Sequence, residues 1–163
     1  MADDTKTADP RNQVPWPLER GQYSHRLRLR LPSTPGALDR GVDRAMRLMV
    51  RSGCPEHARV DLEIALREAL ANAIHHGNNC TKGKRVFLRC YASPHTGSLI
   101  LVRDEGCGFD PGGVPDPRGA DRLGLDHGRG LFLMRALMDH VEYRKGGCEV
   151  LLFKAYTPNG VGD

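Results

Sequence analysis

Residues Arg67–Asn78 read REALANAIHHGN. Ala and Leu favour a helix here, and Gly77 is a natural stop for one. The helix begins further back, at Pro55, a residue suited to a first helical turn, and it is expected to run to His76. At about 100° per residue, Leu62, Ala65, Leu66, Ala69 and Ala73 gather into one apolar stripe that builds a core. Glu68, Asn72 and His76 recur at every fourth position along the border of that stripe, drifting by about 40° per step. A border position suits groups that face a cleft between helix and sheet. The plainer reading is a solvated pair of Glu and Asn at i, i+4. The flanking chain decides between them.

Upstream, Tyr23–Leu31 (YSHRLRLRL) alternates apolar and basic residues, a half-buried strand pattern. Its arginine row suits the outer face of an edge strand, where charge discourages aggregation. Pro35–Arg51 follows as a helix with Ser33 or Thr34 as cap and Val42, Ala45, Met46 and Met49 as its stripe. Downstream, strands are expected over Arg85–Ala92 and Ser98–Arg103, with Gly97 at the turn. Glu105–Gly130 is crowded with Gly, Pro and Asp, and a loop this long inside a compact domain is usually functional or disordered. A short helix over Leu131–Asp139 and strands over Val141–Arg144 and Glu149–Ala155 complete the chain. The order β-α-α-β-β-loop-α-β-β predicts an α+β fold: a two-layer α/β sandwich, its sheet mixed but mostly antiparallel, with helices on one face. Residues 1–22, polar and holding three prolines, read as a flexible tail that carries the only tryptophan, Trp16, between two prolines. Residues 23–157 are the domain, and residues 158–163 a C-terminal tail.

A chain of 163 residues fits one core. With 39% hydrophobic and 27% charged residues, it has the balance of a soluble protein. No apolar run approaches the roughly 18 residues of a membrane span, and the start lacks the apolar segment of a secretory signal. A cytoplasmic protein without membrane contact is therefore expected. Cys54, Cys80, Cys90, Cys107 and Cys148 are scattered and include no CxxC, which points to free thiols in a reducing compartment rather than disulfides or zinc. A net charge of +4 and a pI near 8.9 are compatible with an acidic partner or a nucleotide. No aromatic stacking pattern accompanies the arginine strand, so direct nucleic-acid binding is not expected.

Two glycine-rich stretches carry the chemistry. Asp104-Glu105-Gly106-Cys107-Gly108-Phe109 ends a strand. There an Asp can accept a hydrogen bond from an exocyclic amine, and glycines let the backbone approach a flat ligand. Gly128-Arg129-Gly130 precedes the apolar run LFLMRALM, where free N–H groups at a helix start bind phosphate. Neither a Walker A loop nor a Rossmann GxGxxG is present.

Taken in order, the Glu-xxx-Asn helix, the strand with DxGxGF, the Gly-rich loop and the GxG-helix resemble the Bergerat-fold (GHKL, histidine-kinase-like) ATP-binding domains. The nearest likeness is to the bacterial anti-sigma factor serine/threonine-protein kinases of partner-switching systems. EALANAIHHGN is similar to their N box, DEGCGFDP to the first glycine box and GRGLFLMRALMDHVEY to the second, over about Tyr23 to Ala155. The resemblance implies ATP and Mg²⁺ as cofactors. It implies Asn72 as the Mg²⁺ ligand and Glu68 as general base on the incoming serine hydroxyl. It implies Asp104 on the adenine amine, Gly106 and Gly108 shaping the pocket with Phe109, and Gly128, Arg129, Gly130 and Leu131 at the phosphates, under a closing lid. His76 matches a histidine common in these kinases. The implied partners are a sigma factor and an anti-sigma factor antagonist bearing the phosphorylated serine, and a homodimer through the first strand and helix is compatible. The chain departs from the pattern where some relatives carry an arginine before the second glycine box; Asp126 and His127 stand there, with Arg122 or Arg129 as substitutes. It departs again at Gly147-Cys148, where relatives often have Gly-Thr. A second implied reading is an ATP-gated protein-binding module without productive phosphotransfer.

Overall fold

The computed structural model describes residues 20–113 and 126–156. Alternation makes the sheet. The strands are β1 (His25–Pro32), β2 (Arg85–Ser93), β3 (Gly97–Arg103), β4 (His140–Arg144) and β5 (Glu149–Lys154). They run in the order β1-β2-β3-β5-β4. The expectation of a mixed sheet tightens, because each of the four pairings is antiparallel. Leu27, Leu29 and Leu31 of β1 stand opposite Cys90, Leu88 and Val86 of β2 and face the helices. Arg26, Arg28 and Arg30 take the outer face and are exposed, on a strand at the edge of the sheet.

Three helices cover the inner face: α1 (Pro35–Arg51), α2 (Glu56–Ala71) and α3 (Asp126–Leu137). The α2 stripe is the centre of the core, with Leu62, Ala65 and Leu66 fully buried and Ala69 and Ala73 nearly so. Its apolar area repays burial at roughly 25 cal/mol per Å². On α1, Val42, Ala45 and Met49 are buried as expected, but Met46 is half-exposed and Leu48 takes its place inward. Gly41 lets α1 close on the sheet, since a Cβ there would come within 2.8 Å of Leu31 Cδ1. Lys154 Nζ ties β5 to both neighbouring helices, donating to Asp61 Oδ2 at 2.8 Å and to the Leu137 carbonyl at 2.7 Å.

Two expectations about helices change. The second helix does not stay α-helical to His76. After Ala71 it widens into a six-residue turn, Asn72–Gly77, in which the Asn78 N–H reaches back five residues to the Ala73 carbonyl at 2.8 Å. The cause is Asn78, drawn inward by partners on three other segments. The third helix starts earlier than Leu131, at Asp126. Gly128-Arg129-Gly130 therefore lies in its first turns rather than in a loop ahead of it. Regular structure also begins ahead of Tyr23, with a short helical turn at Arg20–Gln22. The rest of the expected tails, the span 114–125 of the expected lid and Arg122 within it lie outside the described residues. Among the described residues, no helix is long and apolar enough to cross a membrane.

Candidate functional site

The end of α2, its widened turn, and the loop after β3 enclose a cavity of about 520 Å³. That is the size of a typical small-molecule site. Asn72, His76 and Gly77 line it from the helix, Asp104, Gly108 and Phe109 from the loop, and Leu131 from α3. Val102 and Val150 supply apolar floor from the sheet.

Backbone proximity explains the glycines. A Cβ on Gly77 would lie 2.3 Å from the Asp104 carboxylate, and one on Gly106 would lie 2.0 Å from the Gly77 carbonyl oxygen. Gly108, at φ +78°, stacks on Gly146, whose carbonyl accepts from the Phe109 N–H at 3.0 Å. Asp104 is held in place by its own loop: Oδ1 accepts from the Gly106 N–H at 2.8 Å. The Asp104 N–H donates to the Cys148 carbonyl at 3.0 Å, joining the ends of β3 and β5. Burial raises the Asp104 carboxyl above the ordinary range, while the Gly106 N–H and the nearby Lys84 charge pull the other way. A half-buried carboxylate aimed into an apolar-floored cavity is a site for a hydrogen-bond donor.

The polar file on α2 now has a partner. A Cβ on Gly130 would lie 2.6 Å from Glu68 Oε2 and 3.5 Å from Asn72 Nδ2. The first turns of α3 thus rest directly on Glu68 and Asn72, an approach that only glycine permits. Gly128 and Gly130 are buried and Arg129 is exposed. Asn72 lines the cavity, whereas Glu68 and Gly128 to Gly130 lie beside it, one turn back along α2 and at the α3 start. Gly106 is not among the residues that line the cavity; its N–H holds Asp104, which does. An amide oxygen and a carboxylate are hard ligands of the kind a phosphate-borne Mg²⁺ accepts from protein.

Two residues of the site escaped the sequence reading. Asn78 is fully buried and donates to Ser33 Oγ at 2.6 Å and to the Arg85 carbonyl at 2.8 Å, and it accepts from the Glu105 N–H at 2.8 Å. It pins the widened turn to β2 and to the residue beside Asp104. Tyr143 of β4 stacks edge-on against Phe109, with centroids 5.0 Å apart, and lines the cavity together with Asn72. Burial pushes its phenol up to about 12, so it stays protonated at neutral pH. Its only sequence signal was the alternation that placed it on the inner face of β4. Cys148 also lines the cavity, but its thiol donates to the Gly106 carbonyl at 3.2 Å.

A family model described as the histidine kinase-like ATPase domain matches residues 31–154. The match runs from the end of β1 to the end of β5 and takes in each residue of the candidate site. No curated protein matches the chain.

Proposed function

The chain belongs to the histidine kinase-like ATPase domain family, and from that premise we propose that it is an ATP-dependent serine/threonine-protein kinase of a partner-switching system. In this reading it phosphorylates an anti-sigma factor antagonist and also holds a sigma factor. The observation that carries the proposal is the convergence of Glu68 and Asn72 on the Gly130 backbone, at the rim of the cavity that Asp104 faces.

Each residue has a task in that reading. Asp104 accepts from the adenine amine, and Val102 and Val150 cover the ring. Asn72, which lines the cavity, would hold Mg²⁺ through its amide oxygen. Bound there, Mg²⁺ would neutralise charge on the phosphates, the main requirement of phosphoryl transfer. The N–H groups at the α3 start offer donors to the same phosphates. Glu68 takes the proton of an incoming serine hydroxyl, an effect worth about 10²–10⁴-fold in rate. A homodimer through β1 and α1 fits the exposed Val50 and half-exposed Met46 and Leu27, which line one groove of about 740 Å³.

Cys148 favours a second reading, an ATP-gated binding module without productive transfer, because its thiol is turned to Gly106 rather than into the cavity. Calorimetry of Mg²⁺-ATP binding on wild type, Asn72→Ala and Glu68→Ala, followed by γ-phosphate transfer to candidate antagonists, separates the two. The kinase reading expects Mg²⁺-dependent binding that Asn72→Ala loses and Glu68→Ala keeps, with transfer lost in Glu68→Ala. Binding without transfer to any protein supports the module, and no nucleotide binding refutes both.

A further inference from the structure

Arginine is spread over the outer face of the sheet well beyond its edge. On the side away from the helices, the register sets Arg30 of β1, Phe87 of β2 and Arg103 of β3 in one row. The next row holds Arg28, Arg89 and Leu101. Arg28 and Arg30 are exposed, and Arg89 and Arg103 are half-exposed. Beyond them the outer face turns apolar, through Tyr91, Leu99, Leu101, Leu151 and Phe153. The carboxylates that share this face are engaged elsewhere: Glu149 accepts from Lys145 Nζ at 3.3 Å, and Glu142 from Arg144 Nε at 2.8 Å. Among the described residues, Arg28, Arg30, Arg89 and Arg103 make no ion pair. Arg103 and Arg30 instead sit over the Phe87 ring, 4.6 Å and 6.0 Å from its centroid.

Charge on an edge strand is ordinary protection against strand-to-strand aggregation. That accounts for Arg28 and Arg30, but not for Arg89 and Arg103, which sit on strands already paired on both sides. Arg28 and Arg89 stand directly opposite each other, and like charges so placed destabilise a sheet. Unpaired cations kept together against that repulsion fit a surface that meets negative charge. Along β1, Arg28 and Arg30 lie two residues apart, about 7 Å. That is also the spacing of same-face side chains on any other extended segment. A single-stranded nucleic acid needs aromatic faces on which to stack its bases. The one aromatic ring in these two rows, Phe87, already has two guanidinium groups over it.

We propose that the outer face of β1, β2 and β3 is a docking surface for an extended segment of a partner protein that carries Asp or Glu at alternate positions. Arg28 and Arg30 meet successive acidic side chains of that segment, and Arg89 and Arg103 reinforce them from the strands behind. Guanidinium groups suit carboxylates because they offer two parallel donors. The contact with Phe87 orders Arg30 and Arg103 in advance, which lowers the entropy lost on binding. The groove of Leu27, Met46 and Val50 lies on the inner side of β1 and on α1, so a homodimer formed there leaves this face open. None of the four arginines lines the cavity, so the proposal stands apart from the nucleotide reading.

Fluorescence anisotropy of a labelled short peptide alternating Glu and Thr, titrated at low salt with the nucleotide-free full chain, tests this. The expected result is binding that weakens as salt rises. Arg28→Glu and Arg30→Glu, both at exposed positions, are each expected to weaken it by about tenfold. Arg40→Glu, the same change of charge at an exposed position of α1, is expected to leave it unaltered. Far-UV circular dichroism is kept in all three variants. A peptide of the same composition with its Glu residues in one block is expected to bind several-fold more weakly. No binding of the alternating peptide by the wild type overturns the proposal. Equal binding of the two peptides also overturns it, because alternate spacing is then not what the surface reads. An equal loss in Arg40→Glu does the same, since net charge is then the cause. So does tighter, Arg28-dependent binding of an oligothymidylate or of phosphatidylserine vesicles, which makes the partner a nucleic acid or a membrane.

Discussion

Asn78→Ala removes a fully buried side chain that joins three separate segments around the cavity. Its three hydrogen bonds do not cost the same to lose. The Ser33 hydroxyl is 4% exposed and has no easy recourse to water, whereas Glu105 is exposed and its N–H can find a water. The Arg85 carbonyl is intermediate. Each of the three bonds contributes about 1 kcal/mol net, and the one partner left buried and unpaired adds about 1–3 kcal/mol, so the variant should lose about 4–6 kcal/mol. That is a large part of the roughly 5–15 kcal/mol that holds a domain together. For a chain of this size each kcal/mol moves Tm by about 2–4 °C, so a drop of about 8–24 °C is expected. Urea denaturation followed by circular dichroism gives the free energy, and calorimetry gives Tm. Ser33→Ala, which removes one bond of the three and leaves one buried Asn78 N–H unpaired, should cost about 2–4 kcal/mol. A loss below about 1 kcal/mol for Asn78→Ala would refute the reasoning, since water would then be replacing all three bonds without penalty.

Gly106→Ala should weaken ATP binding by at least about tenfold in calorimetry, because its Cβ would meet the Gly77 carbonyl 2.0 Å away and displace the Asp104 loop. Asp104→Asn should raise the Tm of the ligand-free protein at neutral pH and weaken ATP binding in the same preparation. Burial raises the Asp104 carboxyl, so its ionised form costs stability, a cost absent below the ordinary value of 3.8 that grows as pH rises through the raised folded value. The same shift predicts that ATP affinity of the wild type falls on acidification at a higher pH than an ordinary carboxylate would give. Val50→Asp, at a residue 52% exposed on α1, should leave the fold intact and convert a dimer to monomer by light scattering.

The helical stripe of α2 was legible because a 3.6-residue period records burial directly, and Leu62, Ala65, Leu66, Ala69 and Ala73 all lie inside. The polar file beside it was legible only as a border. What it faces, the Gly130 backbone, comes from a helix some sixty residues on. Asn78 was missed for the same reason: it ends the quoted stretch, yet two of its three partners, Ser33 and Glu105, lie on distant segments. The outer apolar cluster did leave a trace. LILV in β3 and VLLF in β5 are continuous apolar runs rather than alternating ones, the mark of strands buried on both faces.

The local rules broken in this chain are broken together. The α2 helix widens at Asn72, Asp104 is half-buried with a raised carboxyl, and Gly77, Gly106 and Gly108 bring backbone closer than any side chain would allow. None of these improves the core, and each has a local cost: glycine gives up more freedom on folding, and a buried carboxylate gives up hydration. The hydrophobic layer between α2 and the sheet offsets those costs. A ligand that donates to Asp104 and occupies the cavity would relieve part of them, stabilising the folded state by mass action. Costs concentrated at one rim, beside a helix otherwise well formed, are what a binding site adds to a scaffold and what a purely structural domain would lack.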